Sequence, residues 1–186
     1  MDPRPPADRG DGMTLPSIVL HGPESTGKST LAGRLAAHYG TVWVPEYGRT
    51  YCEEHGTDLG PDDLVAIMAG HVAARQAMEP QARGFLIQDT DPIMTAAWSM
   101  MLFGHRMPAL DAFADVGHLY LLMDIDLPWI GDDVRMFPRR AEQLRFMALC
   151  RNELVRRDLP FVLIGGDGEA RYEQALTAID GAILHI

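Results

Sequence analysis

Lys28 is the only lysine in the chain; the other fifteen Lys/Arg positions are arginine. It stands in Gly22-Pro23-Glu24-Ser25-Thr26-Gly27-Lys28-Ser29, which fits the phosphate-binding pattern G-x-x-x-x-G-K-[ST]. A compact ammonium on a flexible stem can reach the β- and γ-phosphates of a nucleotide, a task that the planar guanidinium of arginine does not fill. The backbone N–H groups from Glu24 to Ser29 are expected to ring the β-phosphate at the positive end of a following helix. Gly22 and Thr30 flank this ATP-binding set, and the Ser29 hydroxyl is expected on Mg²⁺.

Further positions carry chemistry. Asp89 closes an apolar run, as a Mg²⁺-holding acid does, directly or through water; turn chemistry in Asp89-Thr90-Asp91-Pro92 is its structural alternative. Asp91 is either a substrate contact or simply an N-cap, since Pro92 suits the first helical position. Glu46 and Arg49 follow another apolar run, in the region beyond strand ends where open parallel sheets bind ligands. Glu46 could take the proton of an attacking hydroxyl, and Arg49 could hold substrate or the transferred phosphate; an exposed loop pair is the alternative. Arg135, Arg139 and Arg140 lie where a lid could spread arginines over a transferring phosphoryl group. A merely solvated cluster there is awkward for Arg139 and Arg140, because cations oppose the dipole at a helix start. Tyr47, Trp98, Trp129 and Phe137 offer ring surface, although aromatics more often serve the core; Trp129 alone sits in a polar stretch. The seven histidines form no H-x-x-x-H pair, and His21 reads as packing.

Elements must bring these residues together. Strands are expected over 17–21, 41–45, 85–89, 118–123 and 161–164. Helices are expected from the phosphate loop through Tyr39, from Pro61 towards Met78, over 94–103, 138–158 and 169–179, with 129–140 irregular. Alternation of apolar strands with helices predicts a three-layer α/β domain with a parallel sheet of five or slightly more strands. Residues 15–186 form this domain, with a mobile lid at about 128–140. Met1 to Thr14, rich in Pro, Asp, Arg and Gly and without an apolar stretch, reads as a disordered tail and not a signal peptide.

Bulk properties remove several classes. A formal net charge of -10 argues against broad nucleic-acid binding, and no apolar run reaches membrane-spanning length. Cys52 and Cys150 have no C-x-x-C spacing, so free thiols in a reducing cytosol are expected. A GTPase N-K-x-D motif needs a second lysine, no LSGGQ-like signature is present, and the chain is short for an AAA+ module with its helical lid domain. A small cytoplasmic phosphotransferase that closes over its substrate remains; its oligomeric state is open.

The octapeptide at 22–29, Pro45-Glu46-Tyr47-Gly48-Arg49, Asp89-Thr90-Asp91 and Trp129-Ile130-Gly131-Asp132-Asp133-Val134-Arg135 occur in an order and spacing that resemble the ribosylnicotinamide kinase domain of NadR-type proteins, a branch of the P-loop kinases. The resemblance covers nearly everything after the tail. It implies ATP- and Mg²⁺-dependent phosphorylation of the ribose 5′-hydroxyl of nicotinamide riboside. Lys28 and Ser29 would serve ATP and metal, and Asp89 the metal. Glu46, Arg49 and Asp91 would line the riboside pocket, and Arg135 would be the lid arginine. Independently of the resemblance, Tyr47 or Trp129 could stack on a cationic ring by cation–π contact. The family's lid tends to read Asp-Gly-x-Arg, whereas here the glycine comes earlier, at Gly131. No H-x-G-H motif of an adenylyltransferase is present, so the expected product is the mononucleotide and not the dinucleotide. A kinase for another nucleoside or small alcohol, or a regulatory ATPase-like module of low turnover, are the alternatives.

Overall fold

Five short apolar runs of the sequence become five parallel strands in the computed structural model, which describes residues 15–183. The tail expected over 1–14 lies outside the described residues. In chain order the elements are β1 (Ser17–His21), α1 (Lys28–Tyr39), β2 (Trp43–Val44), α2 (Tyr47–His55), α3 (Pro61–Met78), β3 (Leu86–Asp89), α4 (Pro92–Phe103), α5 (Pro108–Asp111), β4 (Leu119–Met123), α6 (Arg140–Arg156), β5 (Phe161–Ile164) and α7 (Gly168–Ile183). The strands lie in the order β2-β3-β1-β4-β5.

Side chains alternate across a strand, so each central strand feeds two cores. Ile18, Leu20, Ile87, Leu121 and Met123 pack with Leu31 and Leu35 of α1 and Ile179 of α7 on one face. Val19, Tyr120 and Leu122 pack with Ile93 and Ala97 of α4 and Phe146 and Leu154 of α6 on the other. Helices on both faces of the sheet give the expected three layers.

Two features aim this scaffold at a site. Leu20 of β1 pairs with Asp89 of β3, so the loop after β1 and the end of β3 emerge side by side. Gly22 then turns at φ 128°, and a Cβ there would come 2.9 Å from the Met123 carbonyl oxygen, so the turn requires glycine.

The expectations needed correction at five elements. β2 is only Trp43–Val44, because the chain leaves the sheet at Pro45. Arg49, read as a loop residue, lies in the first turn of α2, a helix that the polar, glycine-containing stretch did not announce. α5 was not anticipated either. α6 starts at Arg140, two residues after Pro138, and α7 runs on to Ile183.

Candidate active site

The carboxyl ends of β1 and β3 open onto a cavity. Its lining comprises the loop from Glu24 to Thr30, Glu46, residues of α2, α3 and α4, and Val134, Arg135 and Met136. Lys28 is buried, and its Nζ donates to the carbonyl oxygens of Gly22 at 3.0 Å and Pro23 at 2.8 Å. The loop itself thus supplies the acceptors for the ammonium. Gly27, at φ 82°, precedes the first turn of α1, whose free N–H groups point along the loop.

The Ser29 hydroxyl donates to Asp89 Oδ2 at 2.5 Å, across the β1–β3 junction. Asp89 Oδ1 is buried with no hydrogen-bond partner. An orphaned carboxylate oxygen beside a hydroxyl is an all-oxygen donor set, which suits a hard divalent cation such as Mg²⁺. Among the described residues no cluster of three or more His, Cys, Asp or Glu is poised to hold a metal. A cation here would therefore complete its shell with water and phosphate, as Mg²⁺ commonly does.

Carboxylates crowd this corner. Burial raises Asp89 above the usual carboxylate range, against the pull of Lys28 and the Ser29 hydroxyl. Glu46 is pushed up to about 7, chiefly by burial; Lys28 opposes the shift, and Asp89 and Glu24 reinforce it. A carboxyl tuned in this way can accept a proton near neutral pH.

The 128–140 segment is fastened over the loop. The Glu24 carboxylate accepts from Met136 N at 3.2 Å and Phe137 N at 3.4 Å, and Ser25 Oγ accepts from Ile130 N at 2.8 Å. The Phe137 ring stacks on Trp98 of α4 with centroids 5.5 Å apart. Arg135 lines the cavity, donates to the Ile130 carbonyl and pairs with Asp132 at 3.4 Å. Arg49 reaches the same Asp132 carboxylate at 3.0 Å.

The structure therefore brings Glu24, Ser25, Thr26, Gly27, Lys28, Ser29, Thr30, Glu46, Arg49 and Arg135 to one cavity, with Asp89 bonded to Ser29 at its edge. It does not bring Tyr47, Asp91 or Trp129 to that lining. Asp91 is the cap that the local sequence also allowed: Oδ1 accepts from Ile93 N at 3.0 Å and Oδ2 from the Tyr120 hydroxyl at 2.6 Å. The Tyr47 ring lies against Gly70 of α3, where a Cβ would come within 1.9 Å of it. Gly22 shapes the loop but does not line the cavity. Arg140 donates to the Ile125 carbonyl at 2.5 Å, and Glu142 accepts from Arg139 N at 3.3 Å. His21, buried and lowered to about 3 by that burial, packs edge-on against Tyr120, as expected.

Sequence reasoning missed Leu59, Leu64, Ile67 and His71, and with them Thr90, Met94 and Thr95. Leu64, Ile67 and His71 were legible as one helical stripe, but periodicity cannot tell a stripe facing a neighbour from one facing a cavity. Thr90 holds a left-handed φ of 69°, and its buried hydroxyl has no partner, a strained conformation typical of ligand sites.

This chain is 28% identical over 157 residues to the trifunctional NAD biosynthesis/regulator protein NadR of Escherichia coli (strain K12), covering 80% of this chain and 38% of that protein. The Salmonella typhimurium (strain LT2) NadR is also 28% identical, over 155 residues, covering 78% and 37%. The chain thus spans well under half of the curated relatives it matches. Among solved structures, NadR protein in complex with NR superposes with a TM-score of 0.71 at 22% identity, covering 91% of this chain and 52% of that one. Thymidylate kinase from Ehrlichia chaffeensis superposes at 0.68 with 13% identity, covering 89% and 98%. These likenesses place the fold among P-loop kinase-like folds. Residues 17–171 match the AAA domain family, and the chain belongs to that family.

Proposed function

We propose that this domain transfers the γ-phosphoryl group of ATP to the ribose 5′-hydroxyl of nicotinamide riboside, giving nicotinamide mononucleotide. The observation that carries the reading is the convergence of Lys28, the Ser29–Asp89 pair, Glu46 and Arg135 on one cavity. Its relatives point to the acceptor: NadR is described as an NAD biosynthesis protein, and a NadR structure holds NR.

In this reading Lys28 leaves the carbonyls of Gly22 and Pro23 for the β- and γ-phosphates. Ser29 and Asp89 would hold Mg²⁺, which would neutralise phosphate charge when bound. Glu46 takes the proton of the attacking hydroxyl, and Arg49 orients acceptor or phosphate. Arg135 stabilises the charge that develops on the transferring group. Movement of the 128–140 lid admits and releases ligands. The cationic pyridinium ring is drawn by Glu46, since Asp91 does not line the cavity. The free thiols of Cys52 and Cys150 suit a cytoplasmic setting.

The test is ADP release with ATP and Mg²⁺ over nicotinamide riboside, uridine, cytidine and deoxyadenosine. Nicotinamide riboside is expected to have the highest kcat/KM, and folded Lys28→Met protein to lose ~100-fold or more of turnover. A neutral nucleoside that wins by ~tenfold would leave only a general nucleoside kinase. No turnover with any acceptor would favour a regulatory nucleotide-binding module.

A further inference from the structure

α3 carries Leu64, Ile67 and His71 into the cavity wall at spacings of three and four, one face of one helix. α4 adds Met94, Thr95 and Trp98. The wall built by these two helices is apolar apart from His71 and Thr95. His71 is 4% exposed, lines the cavity and makes no hydrogen bond to any described residue. Its ring contact is the edge-on Tyr47, 6.2 Å between centroids. A polar group on a cavity wall without a protein partner marks a place where a ligand can supply one. A helical threonine such as Thr95 can turn its hydroxyl to a carbonyl one turn back; an imidazole has no such local resort. Burial lowers His71 to about 4, which keeps it neutral with one donor and one acceptor nitrogen. A neutral imidazole also tolerates a cationic ring beside it.

We propose that His71 determines acceptor specificity: its imidazole hydrogen-bonds the polar substituent on the flat ring that lies against Leu64, Ile67 and Trp98. This rests on the reading of the domain as a riboside kinase, where that substituent is a carboxamide. A ring without it would strand the imidazole, so the wall selects by what it leaves unpaired.

The experiment compares nicotinamide riboside with the pyridinium riboside that lacks the carboxamide, which has the same charge and shape. Each is assayed with native protein, His71→Phe and His71→Gln, with folding checked by thermal melting. Native protein is expected to prefer nicotinamide riboside by ~tenfold or more. His71→Phe is expected to lower kcat/KM for nicotinamide riboside ~tenfold through KM. kcat/KM for the unsubstituted riboside should hold or rise, since no imidazole is left to strand, and the KM for ATP should stay within ~twofold. His71→Gln, which keeps a hydrogen-bonding head, is expected to retain part of the preference. Equal losses for both ribosides would reduce His71 to a packing role, and no loss at all would overturn the inference while leaving the kinase reading intact. If native protein phosphorylates neither riboside, the kinase reading fails. Equilibrium binding of nicotinamide riboside then decides on His71: weaker binding by His71→Phe than by native protein upholds the inference, whereas equal or absent binding overturns it.

Discussion

Glu46 has to ionise in surroundings that resist ionisation, and that conflict makes it usable as a base. Burial and the neighbouring acids Asp89 and Glu24 raise it to about 7, with Lys28 holding it back. Only the deprotonated form accepts a proton, so kcat/KM should fall as pH drops through that value. Glu46→Gln should lower turnover ~100-fold or more and flatten this acid limb. The sign for stability is opposite. Between the ordinary glutamate range and about 7 the folded protein binds a proton that the unfolded chain has released, so stability falls as pH rises through the window. Glu46→Gln should therefore resist urea better than native protein at pH values above ~7. A pH–rate profile and urea melts check both; an unaltered acid limb in the variant would assign the titration to another group. Asp91 shows how far such roles are legible in sequence. Its capping of Ile93 was readable two residues away, but the Tyr120 hydroxyl that occupies its second oxygen comes from another strand. Local pattern left cap and pocket open, and tertiary packing decided for the cap.

At the scale of elements, the 128–140 segment, the proposed lid, is held by its backbone. Glu24 and Ser25 grip its N–H groups, and Phe137 rests on Trp98. Its irregular, charged character was legible because no apolar period runs through it. Its anchor was not, since Glu24 read only as a backbone donor to phosphate. With the segment so fixed, Arg135 enters the cavity while Arg140 donates to the Ile125 carbonyl beyond β4. Arg135→Ala is expected to lower kcat by ~10²-fold or more with a much smaller change in the KM for ATP, the pattern of an interaction made in the transition state. Steady-state kinetics check this; a large KM change at normal kcat would make Arg135 a ground-state ATP contact. α2 was the element least legible in sequence. Glu46 to Arg49 is polar, contains Gly48, and follows Pro45, all of which signal a loop. Its helix is held by tertiary contact with α3, above all Tyr47 on Gly70, which no local pattern reveals.

The whole molecule was readable where strands and helices alternate, because a strand buried on both faces is a near-continuous apolar run. The neighbour order β2-β3-β1-β4-β5 was not, since it is set by crossover connections. That order puts the two sides of the cavity on different parts of the chain, with α2 next to β2 and the lid beyond β4. Asp132 joins them: one carboxylate holds Arg49 at 3.0 Å and Arg135 at 3.4 Å. Seen as a binding equilibrium, Asp132 is a rival tethered to the receptor. In the proposed reading it pairs with two guanidinium groups that a phosphate would claim, and a group that reaches them competes with it. Such a competitor lowers apparent affinity by the fraction of time it holds the site. The ion pairs are partly exposed, with Arg49 at 41% and Asp132 at 29%, so the handicap is modest. Asp132→Asn keeps an oxygen for the N–H groups of Val134 and Arg135 but gives up the charge. It should tighten nucleotide or acceptor binding by ~2- to 5-fold. A loosened KM would instead show that the carboxylate holds the arginines ready for the ligand.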